Sequence, residues 1–599
     1  MYTAPSAAGT LNHPDPLPAH ALSLTLAHGA GEFLYISAMA ITPASLRADS
    51  HEQHPHDRQG RQGRQVKEAE NRLAHFNAER ETIVAEVERR VLESRAAEAA
   101  VRRDASLEYV LNDVAFQEIR RLERGPSSSG EKKRVGEWKD LARHLAKMTE
   151  EEKRQRLADI VGTYTRDICG NFNPRVFRFA TRLLPALISG MLAPGSIAQG
   201  ISSLGDLSGK LIIDGPLERI RACTDRGTLV VTPTHSSNMD SVVFGWSLHR
   251  GGLPPCTYGA GKNLFTNPFI SFFMHNLGAY RVDRRLGNGL YKDVLKTYSQ
   301  VLLERGYHSL FFPGGTRSRS GGVEKRLKLG LLSTALAAYQ KNIADGKPQR
   351  RIYIVPATIN YAITLEAETL VEDYLAEEGR HRYIIEDDEF SRLGRIVEFS
   401  RRIMTLEGAL VIRYGAPLDV FGNRVDEDGE SIDARGRRVD PVTYVTGDDG
   451  RVQDDPQRDA EYVRTLGEEL VRQFRRLTVF MPTNLVARAL FDRIAAGVGT
   501  RDVYRLLRAP GGEAPIEKVR EDVARLRTLL AQRPELGAVA ERWAEARPGD
   551  LIDDALRMFR GYHTRPVVDR EGDRLIANDL RLLYYYQNRT AHIAPELLA

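Results

Sequence analysis

Cysteine is scarce in this sequence. Among 599 residues there are three, Cys169, Cys223 and Cys256, which are far apart and odd in number. Such a set provides neither a disulfide framework nor the clustered ligands of a zinc site. The cysteine content therefore fits a reducing, cytoplasmic environment and excludes the class of small disulfide-stapled domains.

A secretory signal and a transmembrane helix are also missing from the pattern. The N-terminus has no basic stretch followed by an apolar one, so no leader is expected. The longest stretch without charge, 183–205, is long enough to cross a bilayer, but prolines and glycines interrupt it. A lipid-exposed helix needs unbroken backbone hydrogen bonding. We therefore expect either a pair of short buried helices or an interfacial element that lies on a membrane.

No strong excess of charge of one sign is present. The formal net charge is +5, with 28% charged and 42% apolar residues. This balance is typical of a globular chain with a real core, and its weak overall field indicates no nucleic-acid partner. The length predicts roughly three or four domains.

Composition divides the chain into five segments. Residues 1–65 are rich in His, Pro, Ala and Gly and are predicted to be largely disordered. Helix formers dominate 66–204, which is predicted to be a helical N-terminal region with a candidate membrane-contact element. The polar segment 423–459 is expected to form a loop or hairpin insertion, and 460–599 is predicted to be a helical C-terminal region.

Between these segments, residues 205–422 have a different pattern. Short β-branched runs alternate with helical stretches, and the runs read "KLIIDG", "GTLVVTPTH", "SLFFPGG", "RIYIVPATINY" and "GALVIRYGAPL". Alternation of this kind predicts an α/β domain with a mostly parallel twisted sheet flanked by helices.

A histidine and an aspartate five positions apart stand in "TPTHSSNMDS", 232–241. On one helix they would be roughly 140° apart, so they meet only if His235 precedes the helix. Pro233 helps to end the preceding strand, and the residues between the pair are good N-cap types. We therefore expect His235 at the carboxyl end of a strand and Asp240 in the first helical turn. Such a pair suits general-base chemistry. The same residues are also consistent with a polar turn that has no catalytic role.

Basic residues recur in two later blocks. The first block, "GAGKNLFTNPFISFFMHNLGAYRVDRR", contains Lys262 near its start and ends with Arg284 and Arg285. "FFPGGTRSRSGG" has a glycine turn followed by Arg317 and Arg319. Backbone N–H groups and guanidinium forks together suit a phosphate, while no Walker A lysine follows the glycines.

In order and spacing these blocks resemble the glycerolipid acyltransferase family. That family has an H-x4-D block, a block ending in D/R-R, an F-P-E-G-T-R-S-R block and an apolar V-P block. The matching stretches are "THSSNMD", "GAYRVDRR", "FFPGGTRSRSG" and "IVPATI". "MPTNLVARALF" (481–491) and "LRLLYYYQNRTAHI" (580–593) look like the C-terminal region of the longer bacterial glycerol-3-phosphate acyltransferases and their dihydroxyacetone-phosphate relatives. The resemblance covers about 205–599.

The resemblance implies an enzyme that moves a fatty acyl group from acyl-CoA or acyl carrier protein to the sn-1 hydroxyl of glycerol-3-phosphate, in phospholipid biosynthesis. His235 would be the general base and Asp240 its partner, and backbone N–H groups after His235 would stabilise the oxyanion. No metal and no cofactor beyond the acyl co-substrate are expected. The residues that would bind the acceptor phosphate or shape its loop are Lys262, Arg284, Gly315, Thr316, Arg317 and Arg319.

The resemblance leaves alternatives open. Gly314 stands where the family has a glutamate that helps to organise the phosphate loop, which allows a non-catalytic membrane-associated relative. The segment "RVDRR" is closer to lysophosphatidate acyltransferases, which favours acylation of 1-acylglycerol-3-phosphate at sn-2. A thioester hydrolase that uses the same histidine is a further alternative. The expected location is the cytoplasmic face of the cell membrane, as a peripheral protein that contacts the membrane surface.

Overall fold

The computed structural model describes residues 72–101, 106–123, 129–181, 211–265, 268–347, 350–378, 410–509, 512–560 and 562–598. The segment 1–65, expected to be disordered, lies outside the described residues. So does most of the expected membrane-contact element, from 182 to 204.

A seven-stranded sheet is the centre of the fold. Its strands in chain order are β1 (Leu211–Asp214), β2 (Gly227–Pro233), β3 (Thr257–Gly261), β4 (Ala279–Val282), β5 (Ser309–Leu310), β6 (Arg351–Tyr361) and β7 (Leu410–Tyr414). In space they are ordered β1-β7-β6-β2-β5-β3-β4. The five strands from β6 to β4 are parallel, while β7 runs antiparallel to β6 and pairs in parallel with β1. The predicted α/β class with a mostly parallel sheet is confirmed.

The central strand β2 is buried along its whole length. It pairs with β6 over seven residues and with β5 over two, so that Val231 lies beside Leu310 on one side and Val355 on the other. Parallel strands end at the same edge of a sheet, and in open α/β sheets that carboxyl edge is where ligands bind. The chain segments that follow β2, β3, β4, β5 and β6 all start from this edge.

Helices flank the sheet and precede and follow it. The longer ones are α1 (Phe76–Val101), α2 (Leu107–Leu122), α3 (Ser129–His144), α4 (Glu150–Ile168), α5 (Leu217–Thr224), α6 (Asp240–Arg250), α7 (Pro268–Asn276), α8 (Gly289–Glu304), α9 (Leu329–Ala344) and α10 (Ala367–Glu378). Those of the C-terminal region are α11 (Pro456–Leu477), α12 (Pro482–Val498), α13 (Val503–Leu506), α14 (Ile516–Gln532), α15 (Glu541–Ala544), α16 (Pro548–Phe559) and α17 (Leu580–Gln587). Among the described residues, no helix combines the length and apolarity needed to cross a membrane.

The N-terminal helices share a hydrophobic core with the sheet domain. Val87 of α1, Leu111 of α2 and Val161 of α4 are fully buried in one cluster with Val294 and Tyr298 of α8. An ion pair between Arg90 and the largely buried Glu304 joins the same helices at 2.7 Å. Burial of this much apolar surface fixes the helices against the sheet.

The C-terminal region shares a second hydrophobic core with the sheet. Its core extends from α12 and α16 to strand residues such as Ile359 and Ile412. A small antiparallel sheet, β8 (Arg424–Val425), β9 (Ser431–Ile432) and β10 (Arg438–Val439), lies within the segment expected to be a polar loop or hairpin. The remaining strands are short: β11 (Val479–Phe480), β12 (Glu513–Pro515), β13 (Ala538–Val539), β14 (Val568–Glu571) and β15 (Arg574–Ala577). Cys169, Cys223 and Cys256 are free and buried.

Candidate active site

His235 and Asp240 lie at the carboxyl edge of the sheet. His235 follows β2 by two residues, and Asp240 is the first residue of α6. The imidazole Nδ1 is 2.9 Å from Asp240 Oδ2. His235 is largely buried and Asp240 is wholly buried. The structure therefore brings the two residues together in the arrangement that the sequence predicts.

The Asp240 carboxylate is held by donors on both oxygens. The backbone N–H groups of Ser236 and Ser237 donate to Oδ2 at 2.7 and 3.0 Å. The hydroxyl of Tyr361, at the end of β6, donates to Oδ1 at 2.8 Å. These three hydrogen bonds fix the orientation of the carboxylate beside the imidazole.

The His235 ring is packed as a neutral base. Its face stacks on Phe312, with ring centroids 4.1 Å apart. Burial lowers the pKa of His235, the Asp240 carboxylate opposes this, and the charges of Arg317 and Arg284 lower the pKa further. Because Nδ1 donates to Asp240, Nε2 is the atom that can accept a proton. Within the described part of the chain, Nε2 has no hydrogen-bond partner.

The loop after β5 carries the glycine turn and closes over the histidine. Gly315 has a φ of +76°, in the left-handed region that favours glycine, and its N–H donates to Phe312 O at 3.0 Å. The side chain of Lys328 crosses Gly315 so closely that a Cβ there would lie 2.4 Å from Lys328 Cδ. Ser318 N–H donates to the His235 carbonyl at 2.8 Å. This loop therefore presents cations next to the base.

The charges of the cations around the loop affect the pKa values of their neighbours. Burial and the charge of Arg317 lower the pKa of Arg284. Burial, Arg284 and Arg319 lower the pKa of Lys328. Like charges gathered in this way are stabilised by an anion, so the group Arg284, Arg317, Arg319 and Lys328 suits a phosphate.

Arg317 is anchored by a buried acid. Its Nη1 lies 3.4 Å from Oε1 of Glu366, which is fully buried. The same Oε1 accepts from Asn238 N at 3.0 Å. Thr316, the neighbour of Arg317 in the turn, is exposed to solvent. The guanidinium is thus fixed beside the turn that precedes α6.

Lys262 lies at the same edge but engages other partners. It follows β3 directly, and its Nζ is 2.8 Å from Asp167 of α4 and 3.9 Å from Asp283. Asp283, next to Arg284, also caps the turn by accepting from Arg285 N at 3.0 Å. Through these contacts Lys262 joins α4 to the sheet edge. Its partners here are acids outside the loop that carries Arg317.

The first N–H groups after His235, which were expected to stabilise an oxyanion, donate to groups of the protein itself. The N–H of His235 donates to Glu324 Oε1 at 2.8 Å, and those of Ser236 and Ser237 donate to Asp240. Asn238 N–H donates to Glu366. These groups orient the dyad and are not directed at a reacting carbonyl.

Several site residues are not evident from the sequence motifs. They are Phe312, Glu324, Lys328, Tyr361, Glu366 and Arg589. Two of them stand near strand ends, since Tyr361 ends β6 and Phe312 follows β5. The position of those strands beside β2 was the signal that could have pointed to them. The other four, Glu324, Lys328, Glu366 and Arg589, are brought to the site by tertiary packing.

Residues of the C-terminal region pack against the loop that follows β5. Gly321 has a φ of +77°, and a Cβ there would lie 2.2 Å from the carbonyl oxygen of Tyr585. Asn588 Nδ2 donates to Ser320 O at 2.9 Å. Arg589 is buried and donates to Asn360 Oδ1 at 2.8 Å. The stretch 585–590 is therefore a platform for the loop that carries the glycine turn.

Comparison with known proteins agrees with this site. Residues 216–360, which contain the dyad and the glycine turn, match the family described as Acyltransferase. This domain is therefore similar to those of glycerolipid acyltransferases. The chain's match to the glycerol-3-phosphate acyltransferase of Pseudomonas syringae pv. syringae is 26% identical over 292 residues, which is 49% of this chain and 32% of that protein.

The corresponding enzyme of Actinobacillus pleuropneumoniae serotype 5b is 28% identical over 276 residues, covering 46% of this chain and 29% of that protein. The chain thus spans about a third of the length of the curated relatives it matches. Among solved structures, the 1-acyl-sn-glycerophosphate acyltransferase of Thermotoga maritima matches 50% of this chain and 92% of its own, at 14% identity and a TM-score of 0.24.

Proposed function

We propose that the protein transfers a fatty acyl group from acyl-CoA or acyl carrier protein to the sn-1 hydroxyl of glycerol-3-phosphate. The observation that carries this proposal is the buried His235–Asp240 pair beside a cluster of cations at one sheet edge. A base next to an anion site suits an acceptor that has both a hydroxyl and a phosphate. The names of the curated relatives point to the same acceptor.

In the proposed reaction His235 acts through Nε2. The acceptor hydroxyl oxygen attacks the thioester carbonyl carbon while its proton passes to Nε2. The carbon–sulfur bond then breaks, and the proton passes on to the departing thiolate, which leaves as a thiol. Asp240 keeps Nδ1 protonated and stabilises the imidazolium that forms. The product is 1-acylglycerol-3-phosphate.

The cations fix the acceptor during this step. Arg284, Arg317, Arg319 and Lys328 are the groups we propose to hold the phosphate, with Gly315 and Thr316 shaping the turn. Guanidinium groups match phosphate oxygens in pairs, which sets orientation as well as affinity. Holding the phosphate in one place brings the hydroxyl within reach of the base and lowers the entropic cost of reaction. Lys262 contributes by fixing α4 and the Asp283 turn.

We propose that the protein works at a membrane surface, which would receive the product and accommodate the acyl chain. Phe179 and Phe272 are 53% and 52% exposed. Their segments lie side by side, because Phe172 pairs with Leu277 and Asn173 N–H donates to Asn276 O at 2.8 Å. Two exposed aromatic rings on adjacent segments suit peripheral contact with lipid. We place the protein at the cytoplasmic face of the membrane.

The second candidate is acylation of 1-acylglycerol-3-phosphate at sn-2, favoured by the "RVDRR" segment at 281–285. The same base and the same cations would serve it, because both acceptors have a phosphate and a free hydroxyl. The two candidates differ in the space needed for the acyl chain of the acceptor.

Thiol release from palmitoyl-CoA by the purified protein tests these proposals. The acceptors are glycerol-3-phosphate, 1-acylglycerol-3-phosphate and none, each with wild-type protein and with His235→Ala. Glycerol-3-phosphate alone should drive release that His235→Ala abolishes. Release with the lysolipid only would establish the sn-2 reaction, and release without acceptor would indicate a hydrolase. Absence of release with both CoA and carrier-protein donors would favour a non-catalytic relative.

A further inference from the structure

The glycine at position 314 removes a carboxylate that the family pattern contains. Gly314 is not among the glycines with positive φ, so its backbone accepts an L residue. A Cβ built there would lie 3.0 Å from Cγ and 3.3 Å from Oε1 of Glu324. The Glu324 side chain therefore occupies the space into which a side chain at position 314 would extend.

The side chain of Glu324 is hydrogen-bonded to the backbone of His235, the proposed general base. Its Oε1 accepts from His235 N–H at 2.8 Å. Its Oε2 is buried and lacks a hydrogen-bond partner among the described residues. Burial raises the pKa of Glu324, whereas the His235 N–H bond and the charge of Arg589 lower it. The acid is thus held between the dyad and a cation of the C-terminal platform.

We propose that Glu324 is a positioning residue that replaces the carboxylate missing at position 314 and fixes the main chain at His235. The proposal rests on the proposed function, because the group that it positions is the general base of that reaction.

The hydrogen bonds around His235 show why this position matters. The residue is held by its N–H on Glu324, by its carbonyl on Ser318 and by its ring on Asp240. The three anchors together set where Nε2 points. Without the first one, His235 N–H is left unsatisfied in a buried place, and the strand end can shift. Displacement of a base by about 1 Å is enough to cost catalysis.

Moving the carboxylate from one position to the other tests the proposal. Glu324→Ala should lower kcat by about 10- to 100-fold with little change in KM for the acceptor. Glu324→Gln keeps an acceptor for His235 N–H and should stay within about threefold of wild type. Gly314→Glu in the wild-type background should impair the protein, because two acids then compete for one space. The double variant Gly314→Glu/Glu324→Ala should recover most of the lost kcat.

Hydrogen exchange at the His235 amide gives a readout that does not depend on turnover. The amide should exchange faster in Glu324→Ala and return to wild-type protection in Glu324→Gln and in the double variant. Equal protection in Glu324→Ala and wild type would overturn the proposal, as would a double variant no better than Glu324→Ala. If Glu324→Ala does not fold, recovery of folding and protection in the double variant supports it and failure to recover contradicts it.

This design separates the two proposals. A wild-type protein without His235-dependent thiol release would reject the proposed function, while amide exchange would still decide whether Glu324 anchors His235. An active wild type with an unaffected Glu324→Ala would reject the role of Glu324 alone.

Discussion

Tyr361 donates a hydrogen bond to Oδ1 of Asp240 at 2.8 Å, although 121 positions separate the two residues in the chain. The bond connects the end of β6 to the start of α6. It leaves Oδ2 for His235 and the two serine N–H groups. Each oxygen of the carboxylate thus has its own partners.

Tyr361→Phe should lower kcat/KM by roughly 3- to 30-fold and the free energy of unfolding by about 1 kcal/mol, because a buried carboxylate oxygen loses a donor. The control is Tyr353→Phe, in the same strand, which removes a hydroxyl bonded to Gly429 O at 3.1 Å. Steady-state kinetics and urea unfolding measure both effects. An equal loss of activity in the two variants would show that the tyrosine acts only through stability.

The pH profile of kcat/KM should report the lowered pKa of His235. The neutral imidazole is the active form, so activity should persist below pH 6.5 and fall only as the pH passes the lowered pKa. Arg284→Gln removes a charge that lowers this pKa, so the acidic limb should move to higher pH. Arg226→Gln, at the opposite end of β2, is the control and should leave the limb in place. No movement with Arg284→Gln would contradict the proximity of Arg284 to the base.

Acid should destabilise the fold through His308. Burial lowers the pKa of His308 from 6.5 to about 4. Its Nδ1 accepts from Leu229 N–H at 3.0 Å, which requires the neutral ring. The unfolded chain therefore binds a proton before the folded one as the pH falls. The resulting stability is complete above pH 6.5 and is lost toward pH 4, by up to about 3 kcal/mol.

His308→Asn tests this origin, since the amide oxygen of asparagine can accept from Leu229 N–H at any pH. Free energies of unfolding at pH 7 and pH 5 should differ less in the variant than in wild type. An identical difference in both proteins would assign the acid sensitivity to other groups.

Gly315→Ala should abolish most activity. The change places a Cβ at positive φ and 2.4 Å from Lys328 Cδ, so the turn and the lysine must both move. Gly306→Ala is the matched control, because Gly306 has a φ of +80° and no atom near the new Cβ. It should cost only the strain of the left-handed backbone, about 1–2 kcal/mol of stability, with normal kcat. Thermal unfolding and kinetics of both variants separate strain from collision.

The sequence predicts those features that depend on neighbouring residues. The strands of 205–422 follow from β-branched runs, and the dyad follows from a strand, a proline and a helix start within ten positions. The glycine turn is equally local, since its conformation and its arginines occupy one short segment.

The remaining site residues depend on contacts between distant segments. Glu366 and Arg589 reach the site because α10 and the C-terminal helices pack against the sheet edge. The engagement of N–H groups near the dyad has the same origin, because the local sequence does not reveal the acids that accept from them. Local motifs identify the chemistry, while packing determines which atoms are free to perform it.

The platform at 585–590 affects when the candidate site of a growing polypeptide can be completed. The dyad and the turn with its arginines are all synthesised within the first 330 positions of the sequence, yet the floor under Gly321 is made of Tyr585 and Asn588. A nascent chain that has already folded its sheet still lacks that floor. The site would therefore be completed late in translation, and a truncated product would carry the histidine without the floor under its glycine turn.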